Sequence, residues 1–355
     1  MKFVMYQNCI SPHQVPLAQE LVKMLGEDNF RYVYCDRQRV SRVKLGWSVD
    51  AFAPWFVHVE SSPGEARELI ENAENLLLMF RDVDLIARRC KKGLRTFYDS
   101  ERWFKPIPVV KSRALNVFAP GWLRLVQPAY WRMAWRMTRL LKSDPNFFYL
   151  PIGVHAARDM RLMGVPFSKM IPWGYFVTPS VLGNYPSVND APRGQLLKVL
   201  CVGRLIELKR FDTVVRAVAM ANAGGTQCRL TILGNGPEES RLKSLANRLS
   251  VNCEFRAPVP IDHVRSIMRE HDILVFSSNG LEGWGAVVSE ALEEGIRVAG
   301  TYESGAAATI LPQSNLFHAG DERRLAEILR MGAVLVPIGD WSAAAAARRL
   351  CSFLK

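Results

Sequence analysis

The chain has 355 residues, 49% of them hydrophobic and 23% charged; that length favours two domains, each with a real core, and the composition excludes a disordered or fibrous protein. Its 46 Lys and Arg against 34 Asp and Glu give +12, and its seven cysteines show no CxxC or clustered spacing, so they read as reduced thiols rather than a disulfide framework. No run approaches the roughly 20 apolar residues of a spanning helix, and MKFVMYQNCISPH has too short an apolar core for a signal peptide, so a cytoplasmic protein is expected.

The charge is lopsided. Residues 1–180 hold 26 basic and 16 acidic side chains (+10), leaving 20 and 18 (+2) for the rest. A basic first half suggests an anionic partner: a membrane surface, nucleic acid or a charged substrate.

Strand-like runs recur at Phe3–Tyr6, Arg31–Cys35, Trp55–Val59, Leu76–Phe80, Arg95–Tyr98 and Phe147–Leu150, with helical patterns between most of them, among them Pro16–Leu25, Gly64–Asn72 and Val83–Lys91. Alternating βα units predict a parallel sheet covered on both faces. In such sheets ligands bind beyond the carboxyl ends of the strands, so the loop Gln7–His13 should face a cleft. His13 reads either as a polar substrate contact or as a plain helix-start residue. After the fifth run come Asp99, Ser100, Glu101 and Arg102. A helix cap with acids in its first turn is the slightly favoured reading; the competing one places Glu101 and Arg102 beside an acceptor. His155 follows the sixth run and is a further acceptor-side candidate. Asp82-Val83-Asp84 matches a metal-binding signature, but it opens a helix where first-turn acids are expected, so it is read as a cap and no metal is predicted.

Residues 102–142 carry nine Lys and Arg and no Asp or Glu, interleaved with Trp103, Phe104, Phe118, Trp122, Tyr130, Trp131 and Trp135. Trp131, Trp135, Thr138 and Leu141 fall at helical spacing, while Arg132, Arg136 and Arg139 share another face. Basic charge with tryptophan is the profile of a helix lying on an anionic membrane, where each basic side chain contributes on the order of 1 kcal/mol. A core helix with a solvated basic face ranks second. Single-stranded nucleic acid ranks third, because no RNA-binding motif accompanies the aromatics, and no nucleic-acid partner is expected.

Thr178–Gln195 is rich in Pro, Gly, Ser and Asn and reads as a linker. The pattern then restarts: strands at Leu197–Val202, Arg229–Leu233, Cys253–Arg256 and Ile273–Phe276, helices at Phe211–Ala221, Glu238–Arg248 and Asp262–Glu270. A second parallel sheet is predicted. Gly203 at the first strand end permits close approach, and Arg204 and Lys209 supply two cations of the kind a diphosphate needs. The turn Gly234-Asn235-Gly236-Pro237 is weaker, since Pro237 fits a first helical turn. In Asp272–Gly295 a buried strand leads through Gly283 and Gly285 into a helix near Ala286. Glu282 stands before that helix and Glu290 on its second turn. Loop glycines and a free helix N-terminus suit a phosphate, and a carboxylate on each side could hold sugar hydroxyls. Glu293 and Glu294 read as solvated.

GRLIELKR, LGNGPEESRL, EGWGAVVSEALEEG and ESGAAATIL together resemble the retaining, nucleotide-sugar-dependent group 1 glycosyltransferases of GT-B fold, over about residues 197–312. The resemblance implies an α/β protein of two Rossmann-like parallel-sheet domains facing an interdomain cleft. Its divisions would be an acceptor-side domain at 1–177, a linker at 178–196, a nucleotide-sugar-binding domain at 197–337 and a C-terminal helix at 338–355 returning to the first. It further implies that Arg204 and Lys209 hold the donor diphosphate, Glu282 the donor sugar and Glu290 the ribose. Gly203, Gly285, Ala286, Val287 and Val288 would line sugar and phosphate, with Arg256 near the base. NCISPHQ, SERWFK and WGYF are similar to bacterial surface-polysaccharide transferases. In the first half, the glycine pair after the first strand and the histidine at the fifth are replaced, by NCISPHQ and by Ser100-Glu101-Arg102. The implied function is metal-independent sugar transfer from a nucleotide diphosphate sugar, a co-substrate rather than a cofactor. The acceptor would be a glycan or lipid-linked hydroxyl in lipopolysaccharide, capsule or exopolysaccharide synthesis. The implied place is the inner face of the cytoplasmic membrane. A nucleotide-sugar epimerase on the same fold, or a non-enzymatic basic membrane- or nucleic-acid-binding protein, are the alternatives.

Overall fold

The computed structural model describes residues 1–35, 53–104, 128–180 and 196–354. They fall into two compact units, one drawn from 1–174 and 343–354, the other from 175–342. Residues 105–127 of the basic segment and most of the expected linker lie outside the described residues.

In the first unit, short Phe-, Tyr-, Leu- and Val-rich runs form β1 (Phe3–Gln7), β2 (Phe30–Tyr34), β3 (Phe56–His58), β4 (Asn75–Leu78), β5 (Arg95–Ser100) and β6 (Phe147–Pro151). The sheet runs β3-β2-β1-β4-β5-β6 with every pair parallel. Its helices are α1 (Val15–Leu25), α2 (Pro63–Asn72), α3 (Val83–Lys91), α4 (Pro128–Ser143) and α5 (Val154–Leu162). Tyr6 is in register with Leu78, and Leu78 with Tyr98, so alternate residues of neighbouring strands share a face. One face buries Val4, Val33, Leu76, Leu78, Tyr98 and Tyr149 against apolar side chains of α2, α3 and α4. On the other, Phe3 stacks with Phe30 and Phe97 at 6.1 and 6.4 Å between ring centroids.

Asp82 is the N-cap of α3, its Oδ1 accepting the Leu85 N–H at 2.9 Å, and Asp84 pairs with Arg136 of α4 at 2.5 Å. Asp82 thus caps the helix, while Asp84, in its first turn, links α3 to α4. The expected cap at Ser100 is corrected by the structure. Asp99 and Ser100 remain in β5, and no helix starts among the described residues that follow, up to Phe104. The Ser100 hydroxyl is drawn instead into an aromatic cluster. It accepts from Trp103 Nε1 at 3.0 Å and pairs with the Tyr149 hydroxyl at 3.0 Å, which satisfies two buried polar groups that apolar neighbours could not.

Arg89, on α3, is fully buried. Its guanidinium donates to Thr96 Oγ1 and to the carbonyls of Ile70, Ala73 and Arg95 at 2.9 to 3.0 Å, and burial pushes its pKa down to about 10. One side chain thus ties α2, α3 and β5 together.

In the second unit β7 (Leu197–Val202), β8 (Cys228–Leu233), β9 (Cys253–Arg256), β10 (Ile273–Phe276), β11 (Arg297–Thr301) and β12 (Leu316–Phe317) run in the order β12-β11-β10-β7-β8-β9, again all parallel. Its helices are α6 (Phe211–Ala223), α7 (Glu239–Arg248), α8 (Ile261–Arg269), α9 (Ala286–Glu293), α10 (Gly305–Ile310) and α11 (Glu322–Met331). The core gathers Val199, Val214, Val218, Leu230, Ile232, Val275, Leu325 and Leu329. The last helix, α12 (Ala343–Cys351), packs on α1 and belongs to the first unit. In each sheet the strand order reverses once, between β1 and β4 and between β7 and β10. Open parallel sheets bind ligands beyond the strand carboxyl ends at that switch point.

Candidate active site

At the switch point of the second unit, β7 and β10 end side by side. The loop after β7 makes a single 3-10 turn, Glu207–Lys209. Two bonds fasten it to the loop after β10: Ser277 Oγ donates to the Lys209 carbonyl at 2.6 Å, and Asn279 N–H to the Leu208 carbonyl at 3.0 Å. Lys209 Nζ is thereby brought to 2.6 and 2.8 Å from the two carboxylate oxygens of Glu282. It also lies 5.3 Å from the centre of the Phe276 ring.

The glycines are where backbone comes close to something. A Cβ at Gly285 (φ +87°) would lie 2.5 Å from the Phe276 ring. One at Gly203 would lie 3.2 Å from the Lys209 stem, and one at Gly234 1.9 Å from the Gly203 carbonyl oxygen. The Gly234-Asn235-Gly236 turn is therefore pressed flat against the loop after β7, and Leu205 N–H donates to the Asn235 carbonyl at 2.8 Å. Pro237 lies before α7, whose first residue is Glu239, and so is not in its first turn.

Gly285 is the N-cap of α9 in left-handed conformation; no side chain caps the helix and no acid occupies its first turn. Ala286 and Val287 are half-buried at the open end and Val288 is buried. The loop is anchored from behind, where Gly305 and Ala306 N–H groups donate to the carbonyls of Gly283 and Trp284 at 3.0 and 2.8 Å. Such an uncapped, preset helix N-terminus favours an anion. Glu290, one turn on, is 8% exposed. Burial holds its carboxyl up at about 7, against the opposing pull of Arg265.

The other candidates stand apart from this pair. Arg204 is exposed, and its side chain has no hydrogen-bond or ion-pair partner among the described residues. Arg256, at the end of β9, is held by Glu254 at 2.9 Å and Glu270 at 3.0 Å. The first-unit candidates all follow strand carboxyl ends: His13 after β1, Glu101 and Arg102 after β5, and His155 in the first turn of α5 after β6. Arg102 lies 3.7 Å from Asp159, a buried carboxylate that also accepts the Phe104 N–H at 2.9 Å.

Glu293 and Glu294 are corrected. Both are buried, and Glu294 meets Arg265 at 2.6 Å and Arg269 at 2.5 Å while accepting from Ser180 Oγ at 3.2 Å. Arginines from α8 reach a turn that spacing alone leaves pointing at water.

Among the described residues no three His, Cys, Asp or Glu side chains form a metal-holding group, and no helix is long and apolar enough to cross a membrane. An open cavity of about 450 Å³ beyond β11 and β12 contains none of the candidates. Its lining includes Arg324, which meets Glu327 at 3.0 Å, and His318.

Residues 189–331 match the model of the family described as "Glycosyl transferases group 1". This segment is a group 1 glycosyltransferase domain. A GDP-mannose-dependent monoacylated alpha-(1-6)-phosphatidylinositol monomannoside mannosyltransferase of Corynebacterium glutamicum is 27% identical over 194 residues, 53% of this chain and 47% of that one. The chain spans less than half the length of the curated relatives it matches. Among solved structures, the lipopolysaccharide outer core galactosyltransferase WaaB in apo form superposes over 99% of both chains, with TM-score 0.63 and 12% identity. Anabaena Alr3699/HepE in complex with UDP superposes over 99% of this chain and 95% of its own, with TM-score 0.59 and 14% identity. The fold is GT-B. The group 1 domain contains Lys209, Glu282 and the whole of α9.

Proposed function

We propose that the protein transfers a sugar from a nucleotide diphosphate sugar to a hydroxyl of a glycan or lipid-linked acceptor, with retention at the anomeric carbon and without a metal. The observation that carries this is the Lys209–Glu282 pair, set among glycines at the switch point of a group 1 domain. Lys209, Arg204 and the α9 N-terminus would stabilise the departing diphosphate, charge that develops only as the sugar bond breaks. Glu282 would hold the donor sugar and Glu290 the ribose, with Gly203, Gly285, Ala286, Val287 and Val288 against sugar and phosphate and Arg256 toward the base. The leaving phosphate itself would take the acceptor proton on the face it departs from, so the incoming hydroxyl replaces it on that face. His13, Glu101, Arg102 and His155 are the acceptor-side group.

Curated relatives named for colanic acid and lipopolysaccharide core biosynthesis support a place in surface-polysaccharide synthesis. What supports the further reading, work at the cytoplasmic face of a membrane, is the outer face of α4. Trp131 and Trp135 are 45% and 60% exposed beside exposed Arg132, Arg136 and Arg139. The test is a thermal-shift screen of nucleotide sugars, followed by transfer with the selected donor in EDTA and assignment of the product anomer by NMR. A midpoint rise with one nucleotide class and a product keeping the donor's configuration are expected. No response to any nucleotide sinks the donor assignment, an inverted product sinks retention, and dependence on added metal sinks the metal-free step.

A further inference from the structure

The first unit has its own switch point, between β1 and β4, and Arg81 stands three residues beyond the end of β4. Its guanidinium is seated in aromatic rings. Nε donates to the Tyr98 hydroxyl at 3.0 Å, and the central carbon lies 4.3 Å from the centre of the Trp103 ring. Trp103 is in turn fixed by Ser100 at its indole N–H and by the Tyr130 hydroxyl, which donates to its carbonyl at 2.9 Å. Tyr98, Trp103, Tyr130 and Tyr149 are all buried, whereas Arg81 is half-buried. Nη1 and Nη2 have no acceptor and no carboxylate partner among the described residues, and neither is among the buried unsatisfied atoms, so both reach solvent.

Arg89, eight residues on, shows what a structural arginine does in this sheet: all three of its nitrogens are bonded, to four acceptors. Arg81 is held by Nε alone, and its fork is left open. A guanidinium taken partly out of water without a counter-charge is costly. The Trp103 face returns about 1–2 kcal/mol of that but does not neutralise the charge. What does so best is a planar or tetrahedral oxyanion that accepts two parallel N–H bonds.

The surroundings say which one. Tyr130, a wall of the seat, lies in the first turn of α4, and the next residue, Trp131, stacks on Phe104 at 5.7 Å. Trp131 also begins the exposed face that carries Arg132, Trp135, Arg136 and Arg139; the expected grouping of the tryptophans with Thr138 and Leu141 is corrected, since those two are buried. One helix thus builds both the basic, tryptophan-bearing surface and a side of the Arg81 seat. An anion presented there by a lipid is a phosphate.

We infer that Arg81 is an acceptor-side receptor for a phosphate group, and that the acceptor is a lipid phosphate or a saccharide linked through one. The inference rests on the proposed sugar transfer for the word acceptor; the phosphate site itself does not. Phosphate from a lipid, free phosphate and the phosphates of a donor nucleotide are separated by the test. Calorimetric titration of the full chain with farnesyl phosphate and with farnesol, below their micelle concentrations, should show farnesyl phosphate binding at least about tenfold more tightly. Arg81→Gln should bring the two within about twofold, Arg81→Lys should keep part of the preference, and Arg67→Gln, a remote exposed arginine on α2, should keep all of it. Inorganic phosphate should compete with farnesyl phosphate in the wild type.

An undiminished preference in Arg81→Gln overturns the inference. So does displacement of farnesyl phosphate by UDP or GDP at concentrations far below those at which inorganic phosphate competes, which would assign the anion to the donor. If Arg81→Gln does not fold by circular dichroism, the wild type decides alone, because no preference for farnesyl phosphate there is equally fatal. Failure of nucleotides to raise the unfolding midpoint would sink the sugar-transfer reading and leave the phosphate preference standing.

Discussion

Lys209 Nζ and the Glu282 carboxylate form a two-pronged ion pair, 2.6 and 2.8 Å, with side chains 15% and 20% exposed. In the molecule as it stands, the cation proposed for the donor diphosphate and the acid proposed for the donor sugar neutralise each other. A donor carrying both a diphosphate and hydroxyls can replace each partner of the pair without leaving either charge alone, which bare diphosphate cannot do. Replacing Glu282 by Gln should lower transfer about 10²–10³-fold, the usual cost of one group aimed at developing charge, while the unfolding midpoint stays near wild type. Bare nucleoside diphosphate should bind this variant at least as tightly as wild type, because Lys209 is released to it. Calorimetry of the two ligands checks the split; weaker nucleoside diphosphate binding in Glu282→Gln would refute it.

Glu290 predicts a pH dependence. Burial raises its folded pKa to about 7 from the ordinary 4.5. The protonated form is then the one the fold prefers, so the folded protein binds more protons than the unfolded chain between those values. Its contribution to stability is full below about 4.5 and is lost as pH rises through 7, about 3 kcal/mol at most over that window. Asp99, 4% exposed and raised to about 7 by burial, acts in the same direction. Urea melts at pH 5 and pH 8 should show Glu290→Gln losing less stability than wild type between them. Donor affinity, which calls for a carboxylate to accept ribose hydroxyls, should rise over the same interval in wild type and stay flat in the variant. A wild-type slope in Glu290→Gln would place the titrating group elsewhere.

Gly234 faces the Gly203 carbonyl oxygen so closely that a Cβ would lie 1.9 Å from it. Gly234→Ala must move the loop that carries Lys209, at roughly 2–4 kcal/mol of stability. It should lose donor binding even under conditions where it stays folded. Thermal shift with and without nucleotide is the measurement, and normal binding by a folded Gly234→Ala would show that the contact does not position Lys209.

Which parts of this are legible in sequence follows from the range of the forces involved. Most strands are legible because they are short apolar runs between glycine, proline or polar turns: Leu197–Val202 and Ile273–Phe276 end where the pattern ends, whereas β11 and the two-residue β12 are not among the strands the pattern predicts. The α/β class follows from their alternation with helices. Ser100 is not legible, because the partners that keep it in β5 are Tyr149, forty-nine residues away, and Trp103. Glu294 is not legible for the same reason: the arginines that bury it, Arg265 and Arg269, stand on another helix. Arg204 and Lys209 look equivalent as neighbouring cations, yet only Lys209 is turned to Glu282, by hydrogen bonds from the loop after β10. Arg89 and Arg81 are indistinguishable by pattern. Only the acceptors around each separate a bolt in the core from an open fork.

That contrast predicts opposite behaviour for the two arginines. Arg89→Met removes a buried cation but orphans three carbonyls and a hydroxyl, each costing about 1–3 kcal/mol when left without a donor. Its urea midpoint should fall by well over what an exposed arginine costs, with the remaining folded fraction binding nucleotide normally. Arg81→Gln should lower the midpoint little, because only the Tyr98 bond and the contact with Trp103 are lost. Equal destabilisation by the two would make Arg81 a packing residue as well.

The exposed face of α4 gives the last prediction. Arg136 is partly spent on Asp84, at 2.5 Å with both side chains well exposed, a pair worth little in water. Arg139 lies 5.3 Å from the centre of the Trp135 ring. All three arginines can therefore turn to an anionic surface at small cost. At about 1 kcal/mol for each basic side chain near such a surface, the triple change of Arg132, Arg136 and Arg139 to Gln should weaken binding to phosphatidylglycerol-containing vesicles about 100-fold. Binding should be screened by salt in the wild type, since the Debye length falls from about 10 Å at 0.1 M to about 3 Å at 1 M. Changing Trp131 and Trp135 to Ala should instead weaken binding while leaving its salt dependence intact, because the rings insert rather than pair. Flotation with phosphatidylcholine vesicles supplies the uncharged comparison. Equal flotation of the triple variant and wild type would place the membrane contact on another face, and failure of the wild type to float with anionic vesicles at low salt would remove it altogether.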